Sequence, residues 1–386
     1  MRSQQSRTAI SALALVATIA ALTVGCGSKG DDESGSSTAA AATFTPRQKG
    51  GIAGALLPEE RRLWKYDRAT GRYVVESGDA SQAYEPDIQR FPAGTKIGYI
   101  DPWAENPFAI PIRNGFYELG RRYGFDVVYC DTQFRPEKAI SCAEQVASQK
   151  PDFVVAGNWQ AGAAAAMMKV LDRAKIPANN NDVSHPNGIF VGADNYTAGL
   201  IGGQAAGRFA QERWDCKDVW LLLGENLEEG EAADLRLQGF SDGVQETCGP
   251  LPDDQIDRER MAAGTADQAL TVSTDWLTAH PQAKHVLAVT LDDERSSGVA
   301  KAFTQSGRDA FAIGMTCDTV GQETTAGAPP EENHFLGSVA FFPERYPLLF
   351  VSTAQDVLEG KPVPNEVHVE HSFLDHDNVT EFYPAN

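Results

Sequence analysis

From Lys96 onward the sequence keeps repeating one pattern. A short apolar run is followed by an amphipathic stretch at helical spacing, then by another apolar run. Residues 97–100, 126–129 and 152–156 are the first three apolar runs. Between them Phe108, Ile112, Phe116 and Leu119 share one helical face, as do Ala139, Ala143, Val146 and Ala147. The Ala/Met-rich stretch 163–174 reads as a third helix. A second series follows, with apolar runs at 219–223, around 256, at 285–290 and at 311–315, and helices at 232–244, 266–277 and 294–303. Continuous apolar strands alternating with helices require parallel sheets covered on both faces. Two such series predict an α/β chain of two doubly wound lobes. Such sheets bind ligands beyond the carboxyl ends of their strands, so two facing lobes place a site between them.

Charge narrows the partners. Against 33 Lys and Arg stand 53 Asp and Glu, a formal net charge of −20. That excludes a phosphate-reading basic face, hence nucleic acid, and adhesion to an anionic lipid surface. The N-terminus supplies a different route to a membrane. Arg2 and Arg7 precede an apolar stretch, residues 9–24, which is short for a span and ends in Gly25-Cys26. Leu22-Thr23-Val24-Gly25-Cys26 resembles the lipobox of bacterial lipoproteins, with Leu one place early. The resemblance implies an exported protein: residues 1–25 form a signal peptide and Cys26 carries lipid at the outer face of the cytoplasmic membrane. Residues 26–45 hold almost nothing large and apolar, so they form a tether with a reach of roughly 25 Å.

Six cysteines occur, and with Cys26 lipidated five remain. Cys130 ends a strand and Cys142 lies in the next helix; Cys216 precedes a strand and Cys248 follows the next helix. Both pairs are expected to bridge in an oxidising compartment, although spacing alone does not determine connectivity. Cys317 is then a buried free thiol. No spacing suits zinc.

Residues 46–94 belong to neither series. Leu63 to Val75, with a turn at Gly71, reads as a hairpin, and about 50 residues make only a marginal core. An extension packed on one lobe is expected. Nucleophile-elbow, phosphate-loop and dinucleotide fingerprints are absent, so neither enzyme chemistry nor a cofactor is expected. Glu228-Glu229-Gly230-Glu231 reads as a solvated acidic loop. His368, Glu370 and His371 do not share a strand face, which argues against a metal site.

The series Glu105-Asn106-Pro107-Phe108, Ile176-Pro177, Asp182, Ala193-Asp194-Asn195, Arg236-Leu237-Gln238-Gly239-Phe240, Leu291-Asp292-Asp293-Glu294 and Phe342-Pro343 resembles the type I periplasmic binding proteins of the ribose-binding kind. The order and spacing hold over about residues 95–375. The resemblance implies a monomeric receptor that closes two lobes on a small ligand and hands it to an ABC permease. It implies lobe 1 over 95–193 and 342–371, lobe 2 over 194–341 and 372–386, and chain crossings near Ala193, Phe341 and Ser372. Asn106 and Phe108 stand where the family places an amide and a stacking ring, with Trp103 and Trp159 as further rings. Asp182 and Asp292 match hydroxyl-binding positions. Asp234 stands where an Arg often clamps hydroxyls, with Arg236 beside it; Thr316 replaces an Asp, Val183 an Arg and Phe341 a Gln. On ordinary grounds Asn106 is a helix N-cap, Phe108 is core, and any single Asp is a cap or surface charge. The resulting site is acidic and aromatic, suited to a neutral polyhydroxylated ligand or to a cation. A sensing lipoprotein with the same fold is the alternative role, and a hydrolase using cleft carboxylates a more remote one.

Overall fold

The computed structural model describes residues 54–384; the signal stretch, Cys26 and the tether lie outside them. The described chain opens with a hairpin, β1 (Leu63–Asp67) and β2 (Arg72–Glu76), turned through Gly71 at φ 74°. Lobe 1 follows: β3 (Lys96–Asp101), α1 (Ala109–Tyr123), β4 (Asp126–Asp131), α2 (Pro136–Ser148), β5 (Phe153–Ala156), α3 (Ala161–Ala174), β6 (Ala178–Asn181) and β7 (Ile189–Gly192). Lobe 2 contains α4 (Asn195–Trp214), β8 (Val219–Glu225), α5 (Glu231–Cys248), β9 (Ile256–Arg260), α6 (Ala266–Ala279), β10 (His285–Val289), α7 (Asp293–Ser306) and β11 (Asp309–Thr316). It continues through α8 (Thr319–Gly327), α9 (Pro330–Asn333) and β12 (Phe335–Ala340). The chain then returns to lobe 1 with α10 (Tyr346–Leu358), β13 (Val363–Pro364) and β14 (Glu366–His368). It ends on lobe 2 with β15 (Ser372–Leu374) and α11 (Val379–Phe382).

The two six-stranded sheets run β14-β7-β6-β5-β3-β4 and β15-β12-β11-β10-β8-β9. Only β15 is antiparallel to its neighbour. Each sheet therefore has the same winding, with the chain reversing direction beside β3 and beside β8. Strands β3, β5 and β8 are buried nearly throughout, as a sheet covered on both faces demands. Strand β6 is a surprise: Ala178-Asn179-Asn180-Asn181 is fully buried although three of its four residues are Asn. Part of the answer is that Asn179 Nδ2 donates to Thr353 Oγ1 (2.9 Å) and the Phe350 carbonyl (3.2 Å) of α10.

The chain crosses between the sheets three times, after β7, after β12 and after β14. His371 joins all three crossings. Its Nε2 accepts from the Asp194 amide (3.1 Å) and its Nδ1 donates to the Ala340 carbonyl (3.3 Å). Burial pushes its pKa down to about 3, so it stays neutral and keeps that acceptor. Helices α4 and α5 press backbone to backbone: a methyl added at Gly199 would lie 2.1 Å from the Arg236 carbonyl oxygen, and one at Gly203 would lie 2.1 Å from that of Phe240. Disulfides join Cys130 to Cys142 and Cys216 to Cys248, with Cα atoms 5.5 and 5.3 Å apart, and Cys317 is a buried thiol. Among the described residues no helix is long and apolar enough to cross a membrane.

Candidate functional site

A cavity lies between the lobes, and every residue lining it ends a strand or follows a strand's carboxyl end. Lobe 1 contributes Trp103, Asn106 and Phe108 after β3, Phe134 after β4, Trp159 after β5, and Asp182 and Val183 after β6. Lobe 2 contributes Glu229, Ala232 and Arg236 after β8, Leu291, Asp292 and Arg295 after β10, and Thr316 at the end of β11. The lobes touch around it. Residues 227–229 lie against α3, and a methyl at Gly264 would sit 3.5 Å from Trp103 Cζ3.

The loop after β3 is held from several sides. Buried Asp101 accepts from the Trp103 amide (3.2 Å), from Tyr129 Oη (3.0 Å) and from Arg113 Nη1 (3.2 Å). The same guanidinium donates to the Ala104 carbonyl at 2.6 Å. Trp103 then stacks on Phe134, centroids 5.5 Å apart and 17° between planes. Asn106 Oδ1 accepts from the Phe108 and Ala109 amides (2.9 and 3.3 Å), starting α1, and the residue also lines the cavity. Phe108 packs edge-on against Tyr346 and Phe341 and presents itself to the cavity. Trp159 lies beside Phe108 at 6.0 Å, and its Nε1 is buried without a protein partner.

Asp182 is 3 % exposed. Its Oδ1 accepts from the Ala193 amide and from Tyr346 Oη, both at 2.8 Å. Burial raises its pKa, against the pull of Arg236 and of those two donors. Arg236 donates from Nε to Asn195 Oδ1 (2.7 Å) and from Nη1 to the Leu291 carbonyl (2.9 Å). Its guanidinium lies 4.9 Å from the Phe341 ring centroid. Asp292 caps α7 through Oδ1 to the Arg295 amide (2.9 Å) and pairs through Oδ2 with Arg295 Nη1. Arg295 also donates to the Met261 carbonyl (2.9 Å) and to Glu229 Oε1 (3.3 Å). Burial works against that cation, but Asp292 and Glu229 outweigh it, and the pKa stays above its ordinary value. Thr316 is held at φ 98°, a conformation a β-branched residue adopts only under strain of about 1–3 kcal/mol. Its Oγ1 donates to Asp293 Oδ2 at 2.8 Å, just behind the cavity wall.

Three sequence expectations need correction. Asp234 does not reach the cavity: its side chain is 62 % exposed and pairs with Arg258 at 2.9 Å. It sits two residues from Arg236 on α5, and such residues point about 200° apart, so only one of the two can face inward. Phe341 lies behind the wall, fully buried between Phe108, Arg236 and His371. The acidic loop is not simply solvated, because Glu229 turns into the cavity to meet Arg295 while Glu228 stays outside with Arg260. Phe134 and Arg295 were not foreseen. Arg295 lies three residues beyond Asp292, a spacing that marks a helix-surface pair and gives no sign of burial. The residues considered for a metal are engaged elsewhere: His368 bonds Glu366, His371 the crossings, and Glu370 Arg345.

Residues 97–362 match the family model described as periplasmic binding protein domain. The ribose import binding protein of Escherichia coli is 23 % identical over 279 residues, 71 % of this chain and 88 % of that protein. Its Bacillus subtilis counterpart is 24 % identical over 274 residues, 70 % and 84 % of the two chains. Among solved structures, an ABC transporter solute binding protein from Mycobacterium smegmatis with bound glycerol is similar at TM-score 0.65 and 19 % identity, covering 76 % of this chain and 98 % of that one. One from Actinobacillus succinogenes with bound D-allose gives 0.63 and 17 %, covering 74 % and 99 %.

Proposed function

The chain belongs to the periplasmic binding protein family, and from that premise we propose that it is the exported receptor of an ABC importer for a small, uncharged, polyhydroxylated ligand such as a monosaccharide or polyol. The observation that carries the ligand class is the charge balance of the cavity. Its two guanidinium groups are already engaged, Arg295 by two carboxylates and a carbonyl, Arg236 by an amide oxygen and a carbonyl. Of its three carboxyl groups, Glu229 and Asp292 are paired and burial draws Asp182 toward its neutral form. Arg295, Glu229 and Asp292 leave no free charge among themselves, and Arg236, held by neutral oxygens, has Asp182 as its nearby carboxyl group; an unpaired buried charge would be costly. What remains suits a sugar. Aromatic faces cover C–H surfaces. Asn106 Nδ2 and Trp159 Nε1 are donors, Glu229 Oε2 is an acceptor, and Asp182 Oδ2 accepts when ionised and donates when protonated. The relatives' names and bound molecules, ribose, glycerol and D-allose, are of this class.

The mechanism is closure. Neither wall alone surrounds the cavity, so a ligand touching both stabilises the closed arrangement over an open one. Two disulfides suit an exported location, and lipidation of Cys26 would anchor the receptor beside its permease. Cys26→Ser should release it from the membrane; an unchanged membrane fraction contradicts the anchor. Mass spectrometry of the molecule released on denaturing the purified protein tests the ligand class. A neutral monosaccharide or polyol is expected, and a retained acid or amine contradicts it.

A further inference from the structure

Residues 54–56 lie outside the part of the chain shared with the family, which begins at residue 97. They nevertheless sit on the hinge and touch both lobes. On the lobe 1 side the Gly54 and Leu56 amides donate to Glu366 Oε1 (2.7 Å) and Oε2 (3.3 Å). Glu366 is 2 % exposed on β14, and its other partner among the described residues is His368, at 2.9 Å. On the lobe 2 side the Asn195 amide, at the start of α4, donates to the Gly54 carbonyl at 3.1 Å. Ala55 is buried against Tyr196 of α4 and Leu235 of α5. The path continues inward, because Asn195 Oδ1 is the acceptor that holds Arg236 in the cavity wall.

We propose that Gly54–Leu56 is a fourth tie between the lobes, added to the three chain crossings, and that it biases the protein toward its closed arrangement. The chain crossings join the lobes covalently and permit rotation about themselves. The strap instead bonds a strand of lobe 1 and packs on two helices of lobe 2. Rotating α5 away from lobe 1 must therefore strip Ala55 from Leu235 or pull Gly54 off Glu366, which would leave a buried carboxylate short of its donors. The strap thus stabilises closure without touching ligand. The inference holds whether or not the cavity takes a sugar.

Two substitutions in the full chain unseat the strap without replacing any residue of the cavity. Gly54 has φ 86°, and a Cβ there would lie 3.1 Å from Asn195 Nδ2 and from the Phe190 ring, so Gly54→Val is strained and crowded. Ala55→Asp puts a charge into an apolar contact. The readout is the inter-lobe distance distribution of the ligand-free protein, from spin labels at Lys169→Cys on α3 and Asp267→Cys on α6, both exposed positions. Hydrogen exchange at the Asn195 amide is followed in parallel. Both variants should shift the distances toward longer values, with exchange at Asn195 roughly tenfold faster. Wild-type distances in both variants overturn the proposal. So does faster exchange with unchanged distances, which would make the strap a passenger. Wild-type exchange in both would show that the tie does not exist. Two variants with separate mechanisms keep the test valid if one of them folds poorly.

Discussion

The two lobes wind their sheets in the same strand order, differing only in the direction of the edge strand, yet they build different walls. Lobe 1 supplies all four aromatic rings of the cavity, Trp103, Phe108, Phe134 and Trp159. Lobe 2 supplies four of the five ionisable groups, Glu229, Arg236, Asp292 and Arg295. Topology therefore determines where the site lies and leaves its chemistry to the loops after the strands. An aromatic wall gains by covering the C–H face of a ligand and needs little else in place. A wall of charges must first satisfy itself, because each unpaired buried ion is expensive. In lobe 2 Arg295 pairs with Asp292 and Glu229, while Arg236 is held by the Asn195 and Leu291 oxygens with Asp182 of lobe 1 as its nearby carboxyl group.

The largest expected effect breaks that balance. Arg295→Met keeps most of the volume but leaves Asp292 and Glu229 without their cation. Denaturant unfolding should show a loss of about 3 kcal/mol; a loss below about 1 kcal/mol would mean the pairing is incidental. On the other wall, Trp103→Ala removes a half-buried ring stacked on Phe134. Calorimetric titration with the sugar found by mass spectrometry should show roughly tenfold weaker binding, or about 1.4 kcal/mol, with nearly unchanged stability. Equal losses of stability in the two variants would erase the contrast between the walls.

A smaller effect concerns the support behind lobe 2. Burial raises the pKa of Asp293 and of Asp318, and the two repel each other. The folded state then keeps a proton that the unfolded chain gives up above its ordinary carboxyl pKa. These two groups therefore lower stability as pH rises from about 4 toward neutrality. Buried His185 and His371, pushed down to about 4 and about 3, act in the opposite direction, since the unfolded chain takes up protons that they refuse. Asp318→Asn removes one partner of the acidic pair. Unfolding curves at pH 4.5, 6 and 7.5 should show the variant gaining on the wild type as pH rises, whereas parallel curves would rule the pair out. The smallest effect is the most pointed correction of the sequence reading. Asp234→Ala should change sugar affinity less than about twofold, because its exposed ion pair with Arg258 faces solvent. A loss of tenfold would put Asp234 back in the site.

The fold was legible because apolar runs and helical faces alternate with few interruptions, and parallel sheets bring all carboxyl-end loops to one side. That places Trp159 at a strand's carboxyl end, and the family resemblance adds Asn106, Asp182 and Asp292 to the same side. The exception in the fold is β6, where of the three buried Asn side chains only that of Asn179 bonds α10, through Nδ2 to Thr353 more than 160 residues away. The site was less legible wherever orientation decided. Asp234 and Arg236 differ by two positions on one helix, and the choice between them was available from helical geometry. Arg295 and Glu229 were not available, because each gains its place from the other across two separate loops. Phe341 matched a family position but turns behind the wall to support Phe108 and Arg236.

The central claim is that a balanced cavity selects an uncharged polyol, and matched ligands test it most directly. Calorimetric titration should compare a neutral hexose that binds with its uronic acid and its amino sugar, the three differing at one carbon. The account predicts binding of the neutral sugar and at least roughly hundredfold weaker binding of both charged forms, about 2.7 kcal/mol. Binding of the acid or the amine as tightly as the neutral sugar would contradict it.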